Sequence, residues 1–519
     1  MASPSRLRPL LRLALASSLG AALVGCGTAP PDIGSVQSTP NPQVAKYTVN
    51  ASGEATATVF FGTSTDYQFR TGTFSIPAPG GAASVYVAGM LANTLYHMRA
   101  TVRYADGRVV RDNDHTFTTG AYPASLLPPL VASTTPGQTP QSGVEMLDAA
   151  TYPIQIMAAD LAGNVIWAYD PQDIGASSWY APKQLPDGDF VALAAPTLPT
   201  PLSLPTVPAN ANLVREFDLA GNTVRQITMD QLNAELAAQG YNLQLIIFSH
   251  DVTVLPNGHW LVIATTQRNV VLTGATTPTP VVGDVIVDLD TNLQPVWVWN
   301  EFDHLDVNRH PWNFPDWTHT NALIYSKDDG NLLVSIRHQN WVVKVDYENG
   351  AGNGNILWHL GEGGDFKLVG GTDPTDWNYA QHGISFASSY TAGVFPLVLM
   401  DNGDDRMFPG DTTPVTCGAD AGHPCYTTVP IFNINENNMT ATLVFHQILP
   451  ASLYSFWGGN AETLANGDVE YDLCASGTTA NIVEVTDQPD PQTVWSLAIT
   501  GHNLYRGYRL PSLYPGVQW

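Results

Sequence analysis

DWTHTNALIYSKDDGNLLVSIRHQNWVVKVD, residues Asp316–Asp346, reads as three β-strands. ALIYS, LLVSI and WVVKV are apolar, β-branched runs, and the Asp-Asp-Gly between the first two is a turn signal. In an up-and-down sheet the start of one strand and the end of the next share an edge. His319 and Arg337 are therefore predicted neighbours, although 18 positions separate them.

Working outward, the same plan recurs from about residue 143: strand, glycine turn, strand, strand ending in aspartate, polar turn, strand with tryptophan. Instances are LPDGDFVALA with REFDLAGNTVRQI, LPNGHWLVIA with VIVDLDTNLQPVWVW, TAGVFPLVLM with VPIFNINENNMTATLVF, and LANGDVEYDL with NIVEVTDQPDPQTVWSLAI. The turn glycines Gly188, Gly258, Gly330, Gly393 and Gly467 stand 70, 72, 63 and 74 residues apart. A four-stranded unit at steady spacing predicts a β-propeller. Five units are complete. IQIMAADLAGNVIWAYD and the late YRGYRLPSLY supply outer and inner strands of a sixth, so both ends of the region would close the ring. Six blades is the count, and seven follows if two units have been merged. MDQLNAELAAQGY predicts one short helix, with Asp230 as N-cap and Gly240 as its stop.

Before this region, TATVFFG, ASVYVAG, YHMRATVRY and RDNDHTFTTG alternate as short strands. Leu91-Ala-Asn-Thr-Leu-Tyr96 leads into Met98, Ala100 and Val102 at period two, the pattern of a tyrosine corner in a fibronectin-III-like sandwich. The expected organisation is a signal peptide over 1–26, a Pro/Ser-rich tether over 27–42 and a fibronectin-III-like β-sandwich over 43–120. A Pro-rich linker over 121–142 and an all-β, six-bladed propeller over 143–519 complete it.

Composition bounds the partners. The 519-residue chain carries a formal net charge of −25 and a pI near 4.6, which argues against nucleic acid as a partner. Such a surface repels anions at long range, so any anion site must be locally basic. Arg6, Arg8 and Arg12 precede the apolar LALASSLGAALV, the layout of an export signal. Leu23-Val24-Gly25-Cys26 resembles a bacterial lipobox, in which Cys26 is lipidated and tethers the protein to the membrane. The alternative is an ordinary signal peptide with a cysteine there by chance. Either way the expected location is outside the cytoplasm, and for a lipoprotein the cell envelope, facing the periplasm. There Cys417 and Cys425, which bracket the polar loop CGADAGHPC, are expected to pair, leaving Cys474 as a buried thiol.

The candidate site follows from the repeat. In a propeller the innermost strands start on one rim, so residues just before them converge on the axis. His250 stands 8 residues before its turn glycine, and His319 and His382 each stand 11 before theirs. Arg337 falls beside His319, and the Asp401–Arg406 segment (DNGDDR) falls at the same point of the next unit. Asp401, Asn402 and Arg406 could equally form a satisfied loop network. His259, His304, His310, His338 and His359 have no such positional argument and read as surface or packing residues. Three imidazoles can hold zinc with water in a fourth position, but an arginine aimed at the same point repels a dication. The other option is an anion with tetrahedral oxygens. A guanidinium grips these bidentately while imidazoles donate, accept or attack.

Residues from about 140 to 515 resemble the bacterial arylsulfotransferases that work without a nucleotide sulfate donor. The likeness lies in HDxxxLPNGH (His250–His259), WTHTN (Trp317–Asn321), IRxxN (Ile336–Asn340), QH (Gln381–His382), DNGDxR (Asp401–Arg406) and YRGYRLPSLY. The resemblance implies a small N-terminal β-domain, a six-bladed propeller, and ping-pong transfer of a sulfuryl group from an aryl sulfate to a phenolic acceptor through a sulfohistidine. It implies His382 as nucleophile, His250, His319 and Arg337 around the sulfuryl oxygens, and Asn340, Asn402 and Arg406 as substrate-binding residues. No cofactor or metal is expected. The lipid anchor and the disulfide loop after DNGDDR depart from the family pattern, and the small β-domain offers an interface for a homodimer. Two other functions fit the same residues: a non-catalytic envelope lipoprotein that binds a ligand or partner, and a metal-dependent hydrolase using the three histidines.

Overall fold

The computed structural model describes residues 33–174, 178–196, 211–387, 391–476 and 479–519. Among these the chain is nearly all β, with a single α-helix. The 316–346 stretch forms strands Thr320–Tyr325, Leu332–Ile336 and Trp341–Val345, followed by Ile356–Leu360. Thr320 pairs with Ile336 and Tyr325 with Leu332, so His319 and Arg337 flank the first pair. The Arg337 N–H donates to the His319 carbonyl at 3.4 Å.

Five further sheets repeat this four-stranded antiparallel meander, and the fifth and sixth each carry one added edge strand. The second starts at Ser178–Gln184, the third at Leu245–Val254, the fifth at Ile384–Phe386 and the sixth at Ala461–Thr463, the quoted unit being the fourth. The first combines Val144–Asp148, Ile156–Ala159 and Val165–Tyr169 with Gly507–Leu510 from the far end of the region. Val144 pairs with Leu510 and Leu147 with Gly507, which closes a propeller-like circle. Arg509 on the closing strand reinforces that seam by pairing with Glu145 of the first sheet and with Glu470 and Glu484 of the sixth.

Period two explains why the sheets stack. Alternate strand residues point to opposite faces. In the fourth sheet Leu332, Val334 and Ile336 face the third sheet, whereas Leu333 faces the fifth. Both faces are therefore apolar and the central strands are wholly buried. Each gap between neighbouring sheets holds its own apolar cluster, including the gap between sixth and first, where Leu147 and Met157 meet Ile482 and Trp495. The five turn glycines picked out by the repeat all adopt positive φ, from +72° to +100°, a region that only glycine enters without strain.

The N-terminal part has a three-stranded sheet (Gly34–Ser38, Ala45–Ala51, Gly81–Val87) and a six-stranded one built on Ala55–Gly62 and Leu95–Tyr104. Tyr96 Oη accepts from the Leu91 N–H at 3.0 Å, the bond expected of a tyrosine corner.

Three expectations need correction. The predicted tether contains strand Gly34–Ser38, whose polar GSVQS pairs with Ala45–Ala51. The predicted linker contains Leu130–Thr134, which caps the outer edge of the sixth sheet by pairing with Thr493–Thr500. In both cases an edge strand's free N–H and C=O groups recruit a short segment that proline-counting marks as irregular. Nor does a bare linker separate the parts. Tyr47 and Phe61 share one apolar cluster with Trp167 and Phe217, and Trp519 packs on Phe61 and Phe69 at 5.9 and 5.4 Å. The third correction is small. Helix Met229–Ala238 is capped by Thr228, not Asp230, through a capping box with Gln231, and Asp230 lies in the first turn. Cys417 and Cys425 are disulfide-bonded, and Cys474 is a buried free thiol. No helix among the described residues is long and apolar enough to cross a membrane, and Cys26 lies outside those residues.

Candidate active site

His250, His319 and His382 line one cavity of about 340 Å³, together with Arg337, Tyr505, Phe456 and Trp457. One ring nitrogen of each histidine lies within 4.8 Å of the others. The His250 ring sits 4.7 Å from His319 and 6.4 Å from His382. His250 and His319 have φ of +56° and +53°. Non-glycine residues seldom hold that conformation, and where they do the surroundings must over-determine it. Here the strain turns each side chain inward from the residue before or within its strand.

Each imidazole is held by Nδ1, and the three holders differ. His250 Nδ1 shares a hydrogen bond with Ser249 Oγ. His319 Nδ1 bonds the Asp316 carboxylate at 2.6 Å. His382 Nδ1 bonds Asn402 Oδ1 at 2.6 Å. The Asn402 amide nitrogen donates to the carbonyls of Ser455 and Gly458, at 2.7 and 3.2 Å, which fixes its oxygen toward the ring. The His382 proton must then sit on Nδ1, and Nε2 presents a bare lone pair to the cavity. Burial, Arg337 and His250 hold the His382 imidazole well below its ordinary pKa, so it is neutral at pH 7. Burial and His319 do the same to His250. Burial pushes the Asp316 carboxyl up, but His319, His338 and Arg337 outweigh it and hold Asp316 ionised, below the usual carboxylate range.

Arg337 is fixed on two sides. One terminal nitrogen bonds His338 Nε2 at 2.5 Å; the other bonds Asp404 and the Phe456 carbonyl. Its guanidinium lies 4.6 Å over the Trp312 ring. Its Nε is buried with no hydrogen-bond partner among the described residues. His338 donates from Nδ1 to the Asp316 carbonyl at 2.8 Å, so its Nε2 can only accept from Arg337. Burial and His319 keep it neutral in that role.

The sequence therefore misplaced His338, which is buried in the site and stacks on His319 at 4.6 Å. It also missed Asp316, Asp404 and Tyr505. Asp316 stands three residues before His319 and Asp404 inside DNGDDR. Tyr505 is buried with an unpartnered hydroxyl and belongs to the YRGYR run that looked purely structural. Three substrate-binding assignments change character. Asn402 stands behind His382 and orients it. Asn340 Oδ1 accepts from the Ala380 N–H at 2.8 Å, holding the turn two residues before His382. Arg406 is buried against Asp401 and the carbonyls of Thr375 and Trp377, off the cavity wall. All three hold buried loop backbone or the His382 ring in place.

This is an all-β, propeller-like protein whose strand ends gather three imidazoles and a guanidinium around a pocket suited to a tetrahedral oxyanion. A family model described as "Arylsulfotransferase (ASST)" matches residues 110–509. The chain belongs to the arylsulfotransferase family, and membership supports a sulfotransferase enzyme. No curated protein matches the chain. Among solved structures it is similar to a candidate 6-phosphogluconolactonase from Bacteroides uniformis (9% identity, TM-score 0.38, covering 72% of this chain and 100% of that one). It is also similar to the Synechocystis apocarotenoid oxygenase (9% identity, TM-score 0.33, covering 92% and 94%). At these TM-scores neither likeness supports an argument about fold or function.

Proposed function

We propose that this protein transfers a sulfuryl group from an aryl sulfate to a phenol by a ping-pong route through His382. The observation that carries the reading is the His382–Asn402 pair: a neutral ring, its proton pinned on Nδ1, its Nε2 left for a cavity that Arg337 also lines. In the first half-reaction Nε2 attacks sulfur, an N–S bond forms, and the S–O bond to the aryl group breaks with its electron pair on oxygen. A proton from His319, which Asp316 backs, converts the departing phenolate to phenol. In the second, the same base takes the acceptor's O–H proton as its oxygen attacks sulfur, and the N–S bond returns its pair to Nε2. Arg337 stabilises the charge that gathers on the sulfuryl oxygens as the bonds loosen.

The six meanders support a six-bladed propeller, and the tyrosine-corner bond supports a fibronectin-III-like sandwich before it. Export and anchoring through Cys26 belong to the same proposal, supported by the basic-then-apolar leader and by a disulfide of the kind that persists outside the cytoplasm. The test is release of 4-nitrophenol from its sulfate ester with and without phenol. A stoichiometric burst without acceptor and phenol-dependent turnover, both absent in His382→Ala, are expected. Release that ignores phenol and disappears with a chelator would assign the three imidazoles to a metal instead.

A further inference from the structure

A second cavity, of about 720 Å³, adjoins the histidine pocket, and Arg337 and Phe456 line both. The unpartnered, buried Nε of Arg337 lies on a side chain forming that shared wall. Trp312, Tyr454 and Phe456 give the second cavity aromatic sides. Trp312 packs against both the Arg337 guanidinium and the His338 ring, which it stacks on at 4.4 Å, and Phe456 is 52% exposed, an apolar side chain without enough protein to cover it. Two carboxylates complete the lining and they are not equivalent. Asp404 is committed to Arg337 and accepts the Tyr454 O–H at 2.5 Å. Asp405 makes no ion pair among the described residues and bonds the Thr416 side chain. Burial pushes the Asp405 carboxyl up, and Thr416 and Arg337 only partly oppose that. An aromatic slot beside the sulfuryl pocket thus carries a half-buried carboxylate with no cation of its own.

We propose that this cavity takes the acceptor, that it selects phenols bearing a protonated amine, and that Asp405 is the specificity-determining residue. The inference rests on the sulfuryl-transfer reading above. An aromatic acceptor packs its ring against Trp312 and Phe456 with its hydroxyl toward the shared wall. An ammonium on its side chain gains a charge-assisted bond to Asp405 and the attraction of the neighbouring aromatic faces. A neutral phenol gains the ring contacts alone. A phenol with a carboxylate tail meets two like charges at short range and a chain of net charge −25 at long range.

The experiment compares three acceptors with the full chain and 4-nitrophenyl sulfate at pH 7: 4-(2-aminoethyl)phenol, 4-ethylphenol and 3-(4-hydroxyphenyl)propanoate. Acceptor kcat/KM should fall in that order, by roughly two- to five-fold at each step, the scale of one partly screened ion pair. Asp405→Asn should bring the amine-to-ethyl ratio to about one, and Asp405→Glu should restore it. Because the readout is a ratio within each protein, a smaller folded fraction cancels. A wild-type ratio at or below one, or a ratio that Asp405→Asn leaves unchanged, overturns the proposal. Normal 4-nitrophenol release with a charge-blind ranking overturns this inference alone. No release from any aryl sulfate overturns the transfer reading and this inference with it.

Discussion

The two sides of the histidine cavity use the same side chain for opposite ends. On the His319 side the ring is backed by a carboxylate, stacks on His338 and adjoins Arg337: charge is present and balanced there. On the His382 side the ring is fully buried and backed by an amide oxygen. A carboxylate behind an imidazole favours its protonated form; an amide orients it and leaves it neutral. The first side is suited to delivering and recovering a proton, the second to attacking. An amide has a further merit for a ping-pong route. On the proposed route it would stabilise the positive ring of a sulfohistidine less than a carboxylate would, so that intermediate would keep its power to sulfate the next acceptor.

That contrast can be broken most severely by His382→Ala, which should lower turnover by about a thousand-fold or more and erase the 4-nitrophenol burst. Arg337→Lys comes next. A lysine keeps the charge but loses the fork that reaches His338, Asp404 and the cavity together, and kcat should fall by roughly a hundred-fold. Asp316→Asn removes the charge that distinguishes the His319 side. A ten- to hundred-fold loss is expected, on the order of what an outer partner of a working histidine contributes. It should be larger for aryl sulfates with poor leaving groups, which need the proton most. A plot of rate against leaving-group pKa checks it.

Asn402→Asp sharpens the comparison by making the two sides alike. A carboxylate at Nδ1 raises the His382 pKa, so its neutral, attacking form is lost at a higher pH. In the wild type, burial depresses that pKa, so the burst rate should stay level as pH falls through 6.5 and drop only well below it. In Asn402→Asp the acid limb should move up toward neutrality, with a loss at pH 7 of up to about two-fold as the His382 pKa nears that value. Burst rates across pH 4.5–8.5 measure both. An acid limb in the same place for both proteins would show that the backing group does not set the protonation of His382.

Much of this was legible before any coordinates, for identifiable reasons. A repeat of strand, glycine turn and strand carries its own register, so the position of His319 beside Arg337 followed from strand count, and the first and last strands could be matched across the whole region. The missed residues share a different property: their roles rest on side-chain contacts that the strand repeat does not encode. His338 looked idle because nothing local places it under Arg337 and over Asp316. Asn402, Asn340 and Arg406 sit in motifs that invite a ligand role, yet they bond the His382 ring and backbone groups 29 to 56 residues away in sequence. Spacing locates strand ends well. It says little about which polar groups are already satisfied.

The seam that joins the first and last strands bears on timing. Tyr505 and Arg506 directly precede the closing strand Gly507–Leu510. Arg506 pairs with Asp251 at 3.0 Å and bonds the Asn321 carbonyl, tying the third and fourth sheets to the first near the cavity. These groups arrive last during synthesis, after every other wall of the pocket has emerged. A chain whose ends have not met therefore lacks both the hydroxyl and the brace, and under the proposed transfer it has no finished pocket in which to load a sulfuryl group. Assembly and competence are a single event in this architecture, and a half-built molecule is a silent one.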